Sequence, residues 1–253
     1  MTATETTRLT ANCVPLMELT ERDVRAMFQI HSAHYDSDEA TFRADLAKKS
    51  WIIQIFDEVR VLRGFSTLVM WHHDLGPGGM NILFSGDTVI DRRYWGHRAL
   101  PIKWLEVTGA LHARHPGTPL YWLLTSMHPR TYRFMPLYYR RFYPSWRGEE
   151  AELGAIAASV ARTRFGLEFD AARGVVVGEA PLKQSIAKIG PGKMGRNDFR
   201  YFLERNPGYV SGEGLVCLAP IDEANHRPMA RRFFLRGAGN GLARSEPHLG
   251  AAA

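Results

Sequence analysis

Residues 85–100 read SGDTVIDRRYWGHRAL. The stretch begins inside the β-type run Met80–Ile90 and ends where Ala99–Ala113 takes up helical spacing, with Leu100, Ile102, Trp104, Leu105, Val107 and Leu111 among its apolar positions. Between the two lie Arg92, Arg93, Gly96 and Arg98, three arginines around one glycine where a strand turns into a helix. A helix start presents free backbone N–H groups and the positive end of its dipole, which suits phosphate. Glycine lets a ligand approach the backbone closely. Guanidinium groups add charge-assisted hydrogen bonds. The competing reading is a solvated basic surface.

The order of elements around this junction decides what it can be. Upstream, Cys13–Leu19 reads as a short strand, Thr20 caps a helix running to Ala33, and Ser37 or Asp38 caps a second helix to Lys48. Trp51–Phe56, Val61–Trp71 and Met80–Ile90 follow as strands, joined by the turn 57–60 and the Gly/Pro-rich loop 74–79, so an antiparallel meander is expected. The helix 99–113 then crosses to a strand at Pro119–Thr125, which makes strands four and five parallel. Thr131–Phe142 reads as a helix that Pro136 kinks or starts late. Strict alternation along the fourth strand puts Asn81, Leu83, Ser85, Asp87 and Val89 on one face, and Ile82, Phe84, Gly86 and Thr88 on the other.

The remainder alternates again: a helix at 149–164, a strand at 174–177, a helix at 197–205, a strand at 214–218 and a short helix at 229–235. The segment 180–196, with Gly190, Pro191, Gly192 and Gly195, reads as a mobile loop. The first ten residues and the tail from Gly237 lack apolar periodicity and read as loose.

Composition narrows the classes. A chain of 253 residues has room for one large domain or a core with an extension. Its start, MTATETTRLTANCV, lacks a signal-peptide layout, and no apolar run reaches the roughly 20 residues that span a bilayer. Two cysteines, Cys13 and Cys217, build no disulfide framework, so a reducing cytoplasm is the expected location. The net charge is +6, carried by 26 arginines against 6 lysines, and Arg offers the planar fork that matches phosphate. That balance points to an acidic partner: a nucleotide, an acidic carrier protein or nucleic acid. The basic residues are spread along the whole chain without a recognition motif, which disfavours a nucleic-acid-binding module. His31 with His34, and His72-His73-Asp74, lack the third and fourth ligands a zinc site needs, so no metal is expected. His31, His34 or His73 remain as proton relays facing an acceptor pocket.

With this order of elements, the run Arg93-Tyr94-Trp95-Gly96-His97-Arg98 resembles the Arg/Gln-x-x-Gly-x-Gly/Ala loop of the GNAT acyltransferase superfamily, with Arg98 at the last position and Ala99 next. A second signature of that family, Asn followed by Tyr and then Gly-Phe, is approximated by Thr131, Tyr138 and Phe142-Tyr143. The resemblance covers about residues 13–146. It implies a GNAT-like mixed sheet, α/β (α+β), mostly antiparallel with strands four and five parallel and helices on its flanks. It also implies a single unit over 1–253, in which 147–236 completes the sheet and adds helices and 237–253 is a flexible tail.

The resemblance further implies an N-acyltransferase. An acyl group would pass from acyl-CoA, or from acyl-phosphopantetheine on an acyl carrier protein, to an amine of a small molecule or peptide, with no permanently bound cofactor. The residues it assigns to the donor are Val89, Ile90, Arg93, Gly96, His97, Arg98 and Ala99. Tyr138 becomes the acid that protonates the leaving thiolate, with a packing tyrosine as the bland alternative and Tyr139 as its neighbour in register. Ser85 and Asp87 are the candidates to handle the amine proton, Asp87 alternatively capping a turn. The arginines at 130, 133, 140, 141 and 147 would offer a face to an acidic carrier. A non-catalytic binding protein with this fold is the other alternative.

Overall fold

The computed structural model describes residues 8–76, 78–178 and 180–241. The strands are β1 (Thr10–Pro15), β2 (Trp51–Phe56), β3 (Leu62–His73), β4 (Met80–Ile90), β5 (Leu120–Ser126), β6 (Phe169–Asp170), β7 (Val175–Val176) and β8 (Gly214–Pro220). The helices are α1 (Glu21–Ser32), α2 (Glu39–Leu46), α3 (Ala99–Arg114), α4 (Pro129–Tyr132), α5 (Phe134–Tyr138), α6 (Ala151–Phe165), α7 (Gln184–Ala187), α8 (Asn197–Arg205) and α9 (Pro228–Asn240).

Local chemistry sets several of these boundaries. Thr20 Oγ1 accepts from the Asp23 amide while the Asp23 carboxylate accepts from the Thr20 amide, a reciprocal cap that starts α1. Asp38, rather than Ser37, caps α2 by accepting from Thr41 N at 2.8 Å. The predicted helix 131–142 is two short helices. Pro136 sits in the first turn of α5, where a missing N–H breaks no bond, and the helical run ends at Tyr138.

All eight strands form one sheet in the order β1-β2-β3-β4-β5-β8-β7-β6. Every pairing is antiparallel except β4–β5, which is parallel over Asn81↔Leu120 to Ser85↔Leu124. The crossover helix α3 covers one face, over Trp51, Ile53, Leu68, Leu83 and Trp122. On the other face α1 and α2 pack over Ile52, Phe65 and Val89, and α6 packs over Ile82, Phe84 and Leu218. Among the described residues no helix is long and apolar enough to cross a membrane.

The C-terminal helix is longer than its sequence pattern indicated. Gly237, read as the start of a loose tail, is buried inside α9, and residues 242–253 of that tail lie outside the described residues. Gly109 of α3 and Gly237 of α9 explain the closeness of the two helices. A Cβ at Gly109 would collide with the Phe234 carbonyl, and one at Gly237 with the Glu106 carbonyl. The segment 180–196 is likewise not a loop throughout. It contains α7 and a 3-10 turn at 191–193, and buries Leu182, Ile186 and Ala187 beneath Tyr35 and Trp95.

One irregularity matters for the site. Ser66 pairs with Thr88 but Leu68 pairs with Ser85, so Gly86 and Asp87 of β4 stand opposite Thr67 alone. The extra residue is a β-bulge, and it inverts the alternation. Before it, Leu83 and Ser85 face α3. After it, Thr88 and Ile90 face α3, while Val89 packs with Met27 and Phe42 under α1 and α2. The expectation that Ser85, Asp87 and Val89 share one face is therefore overturned.

Candidate active site

The pairing of β4 with β5 ends at Ser85↔Leu124, yet β4 runs on for five residues to Ile90. Beyond Ser85 the two parallel strands diverge, and a cavity opens on each face of the sheet. One, of about 530 Å³, lies on the α3 side, between the start of α3, α4–α5, α7 and the first turns of α9. The other, of about 560 Å³, lies on the side of α1, α2 and α6. Tyr35, Thr88, His128 and Thr131 belong to the walls of both, so the two cavities adjoin at the divergence.

The α3-side cavity is mostly apolar, with Ile102, Leu105, Phe134, Leu137 and Phe233 in its wall, and cationic at one end. There Arg130, Arg133 and Arg196 gather around Lys193, with Asp198 as the nearby carboxylate, and Arg98 also lines the cavity. Asp198 sits 3.0 Å from Arg196 and 3.4 Å from Arg133. Arg130 lies flat against Trp95, its guanidinium carbon 3.6 Å from the ring centroid. Charge on these groups is crowded: burial and Arg92 push the Arg130 pKa down, and burial with Arg130, Arg133 and Arg196 pushes Lys193 down. His128 is pushed to about 3, first by burial and then by Arg130 and Lys193, so its ring is neutral at physiological pH. His128 Nδ1 accepts from the Arg130 amide, while Nε2 is buried without a partner among the described residues.

The donor-site residues read from the sequence do not all reach this cavity. Ile90, Gly96, His97 and Arg98 line it. Arg93 does not. Its fork is closed on the Asp91 carboxylate at 2.5 Å, and it points away over Tyr94. Val89 is buried on the opposite face. Gly96 has φ +94, and a Cβ there would meet nothing within 4 Å, so the turn itself requires glycine. The Ala99 amide is accepted by His97 Nδ1 at 3.1 Å, and Pro101, in the first turn of α3, has no N–H. The helix start therefore has fewer amides to offer an anion than its sequence pattern implied.

Tyr138 lies in the wall of this cavity, its ring stacked on Phe134 with centroids 5.6 Å apart. Burial, then Tyr139, raise its pKa, so the hydroxyl keeps its proton. Tyr138 also lines a void of about 20 Å³ against the sheet, whose wall includes Ser66, Ser85 and Thr88. Ser85 Oγ there accepts from Trp122 Nε1 at 2.8 Å, and Ser66 and Thr88 share a 2.8 Å hydroxyl–hydroxyl bond. Tyr139, one residue on, is fully buried against Trp122 and His226 and reaches neither large cavity.

Asp87 belongs to the other cavity, because of the bulge. Its Oδ1 lies 3.5 Å from His31 Nε2, and His31 Nδ1 lies 3.4 Å from Ser37 Oγ. His31 stacks on Tyr35, which fixes the ring. Lys49 is almost wholly buried there and paired with Asp45 at 2.7 Å. His34 lines the α3-side cavity instead, and His73 bonds Ser159 away from both. Among the described residues no cluster of three or more His, Cys, Asp or Glu could hold a metal.

An eight-strand sheet whose one parallel pair is a β4–α3–β5 crossover, bulged and splayed at that pair, is a recognisable arrangement. It is the mixed sheet, mostly antiparallel with strands four and five parallel, that the sequence resemblance implied. No family model matches the chain, and no curated protein matches it. Solved structures with a similar chain path include a protein of unknown function from Enterococcus faecalis described as a probable N-acyltransferase, at 11% identity and TM-score 0.41 over 54% of this chain and 33% of that one. They also include a GNAT family N-acetyltransferase from Escherichia coli in complex with CoA, at 15% identity and TM-score 0.38 over 50% of this chain and 68% of that one. A third is the Escherichia coli ribosomal-protein-S18-alanine N-acetyltransferase, at 10% and 0.37, over 84% of this chain and 95% of that one.

Sequence reasoning passed over His128, Lys193 and Arg196. His128-Pro129 opens α4, and the N-cap position was legible from a polar residue before Pro. Lys193 and Arg196 were hidden in a segment whose glycines read as a loop.

Proposed function

We propose that the protein moves an acyl group from coenzyme A to an amine. The observation that carries this reading is the meeting of two cavities, one cationic-ended and apolar and one polar, at the point where β4 leaves β5. A thioester lying along the first brings its carbonyl to the divergence, and an amine in the second reaches that carbonyl through the gap. The five cations at 98, 130, 133, 193 and 196, with Asp198 as the carboxylate paired to two of them, fit a polyphosphate better than a neutral ligand, and Lys193 in particular is crowded by Arg130, Arg133 and Arg196.

The chemistry needs three things. The ammonium loses a proton to the Asp87–His31 pair, which frees the nitrogen lone pair. That nitrogen attacks the thioester carbon, and the oxyanion formed takes a hydrogen bond from the β4 backbone beyond Ser85, where no β5 partner competes. The C–S bond then breaks, and the thiolate takes the Tyr138 proton. The nitrogen, which carries two hydrogens and a positive charge after its attack, gives up its second proton to solvent as the carbonyl reforms, so the products are the N-acyl amine and free thiol, and Tyr138 regains its proton from solvent. His128, uncharged, keeps a positive charge away from the attacking amine.

Coenzyme A is preferred to a carrier protein for a specific reason. Of the arginines expected to dock a carrier, Arg141 is paired with Glu150 and Glu152, Arg147 lies over Phe142 and Trp146, and Arg130 and Arg133 belong to the wall of the α3-side cavity. The test is incubation with acetyl- to dodecanoyl-CoA, and separately with acyl carrier protein, against a panel of amines, reading N-acyl products by mass spectrometry. Product from CoA thioesters is expected. Thioesters left intact with every amine would end the acyl-transfer reading.

A further inference from the structure

The polar cavity carries a charge pattern that selects among amines. Most of its charged groups are neutralised by one another or lie at the rim: Lys49 by Asp45 at 2.7 Å, with Lys48 and Glu168 exposed. Two charges keep free valence. Among the described residues Asp87 has the His31 ring as its one ionic partner, at 3.5 Å. Arg164, from α6, has no carboxylate partner among the described residues and lies over the rings of Trp71 and Phe84, 5.4 and 6.0 Å from their centroids. Both residues line the same cavity, as does Phe84. Arg164 is thus held by aromatic faces with its hydrogen-bonding edge unused, an arrangement that suits a carboxylate.

The spacing is set by β4. Phe84, whose ring lies under Arg164, and Asp87 are three residues apart with the bulge at Gly86-Asp87 between them, so they share the cavity face at a separation below the roughly 10 Å of three fully extended residues but still several bond lengths. A carboxylate on the amine-bearing carbon itself would not reach both ends. We infer that the acceptor is an amine carrying a carboxylate several bonds from the nitrogen, the class of ω-amino acids and short peptides, with its ammonium at Asp87–His31 and its carboxylate at Arg164. A diamine would set a second cation against Arg164, and a plain alkylamine would leave the guanidinium unanswered. This assignment rests on the acyl-transfer reading for its kinetic consequence, but the binding it describes stands apart from that reading.

Two measurements on the full chain separate the cases. The first is binding without donor: 5-aminopentanoate should raise the melting temperature where pentylamine and cadaverine do not, and Arg164→Gln should abolish that rise. The second is turnover with acetyl-CoA, in which 5-aminopentanoate should be preferred over pentylamine by about tenfold or more, as one charge-assisted pair allows. Arg164→Gln should collapse that preference and Arg164→Lys should restore part of it. Arg164 sits partly exposed on α6, and circular dichroism of each variant checks that the helix persists. Arg164-dependent binding with no turnover of any amine would keep the acceptor assignment and sink the acyl-transfer reading. Equal turnover of all three amines, or aminopentanoate binding unchanged in Arg164→Gln, would sink the assignment and leave acyl transfer standing.

Discussion

The guanidinium of Arg130 lies 3.6 Å from the ring centroid of Trp95, which ties the start of α4 to the turn that precedes α3. Trp95 is itself anchored, its Nε1 donating to the Ile90 carbonyl at 3.0 Å at the end of β4. One contact thus fixes both walls of the cationic end of the cavity. Arg130→Ala should raise the Kd for CoA by about tenfold, since it removes a charge-assisted contact and loosens the turn. Arg130→Lys should recover little of this, because an ammonium cannot stack as a planar fork does. Isothermal titration with CoA checks both. Equal affinity in wild type and Arg130→Ala would remove this end of the cavity from donor binding.

Arg93 and Arg98 make a sharper comparison. Arg93 spends its fork on Asp91 and lies off the cavity, whereas Arg98 lines the cavity and has no carboxylate partner among the described residues. Arg98→Ala should weaken CoA binding several-fold, by roughly the 1 kcal/mol or so of one charge-assisted contact at an exposed site. Arg93→Ala should change it less than twofold. The same titration decides, and the reverse ranking would place the anion at the glycine turn itself.

Much of the fold was legible in the sequence, for identifiable reasons. Long strands and amphipathic helices carry their own periodicity, so Trp51–Phe56, Met80–Ile90 and Asn197–Arg205 fall where the apolar spacing puts them. The β-bulge at Gly86-Asp87 was not legible, because a bulge depends on what the neighbouring strand does opposite it. That single extra residue moved Asp87 across the sheet and so decided which cavity it serves. The pairing of Arg93 with Asp91 was hidden in the same way: both residues were visible in DRR, but not which side chain turned back on the other.

Tyr138 should matter for turnover more than for binding. Tyr138→Phe keeps the stack on Phe134 and the apolar wall, and removes only the proton that the thiolate would take. A drop in kcat of about 10²-fold or more, with the CoA Kd nearly unchanged, is expected for loss of a general acid. Since burial raises its pKa, the wild-type rate should show no basic limb from tyrosine ionisation in the range where an ordinary tyrosine loses its proton. Stopped-flow detection of free thiol measures both, and a Tyr138→Phe rate equal to wild type would leave this hydroxyl without a role.

His128 predicts an acid sensitivity with a definite sign. Its folded pKa, about 3, lies below the ordinary 6.5, so between these values the unfolded chain binds more protons than the folded one. Stability tied to the neutral ring is then complete above about 6.5 and is lost as pH falls toward 3, with a limiting slope of about 1.4 kcal/mol per pH unit. His128→Asn keeps an acceptor for the Arg130 amide but does not titrate. Its melting temperature should fall less steeply than that of wild type as pH drops below 6.5. His34 and His226, also lowered first by burial, contribute a slope common to both proteins. Parallel curves would mean that the His128 ring is protonated in the fold after all.

Helix α9 walls the α3-side cavity because it packs closely on α3. Met229, Ala230 and Phe233 line that cavity from the first turns of α9, and the helix is drawn against α3 by Gly109 and Gly237. Gly237→Ala would drive a methyl into the Glu106 carbonyl, forcing the helices apart at a cost of about 1–3 kcal/mol. Gly239→Ala, two residues on in the same helix, meets nothing within 4 Å and should instead stabilise by about 0.5–1 kcal/mol through helix propensity. Separating α9 from α3 should also widen the cavity and lower CoA affinity in Gly237→Ala alone. Urea melts and CoA titration of the two variants test this together. If both substitutions stabilise, the close approach of the two helices does not exist in solution, and α9 cannot be the wall that holds the donor.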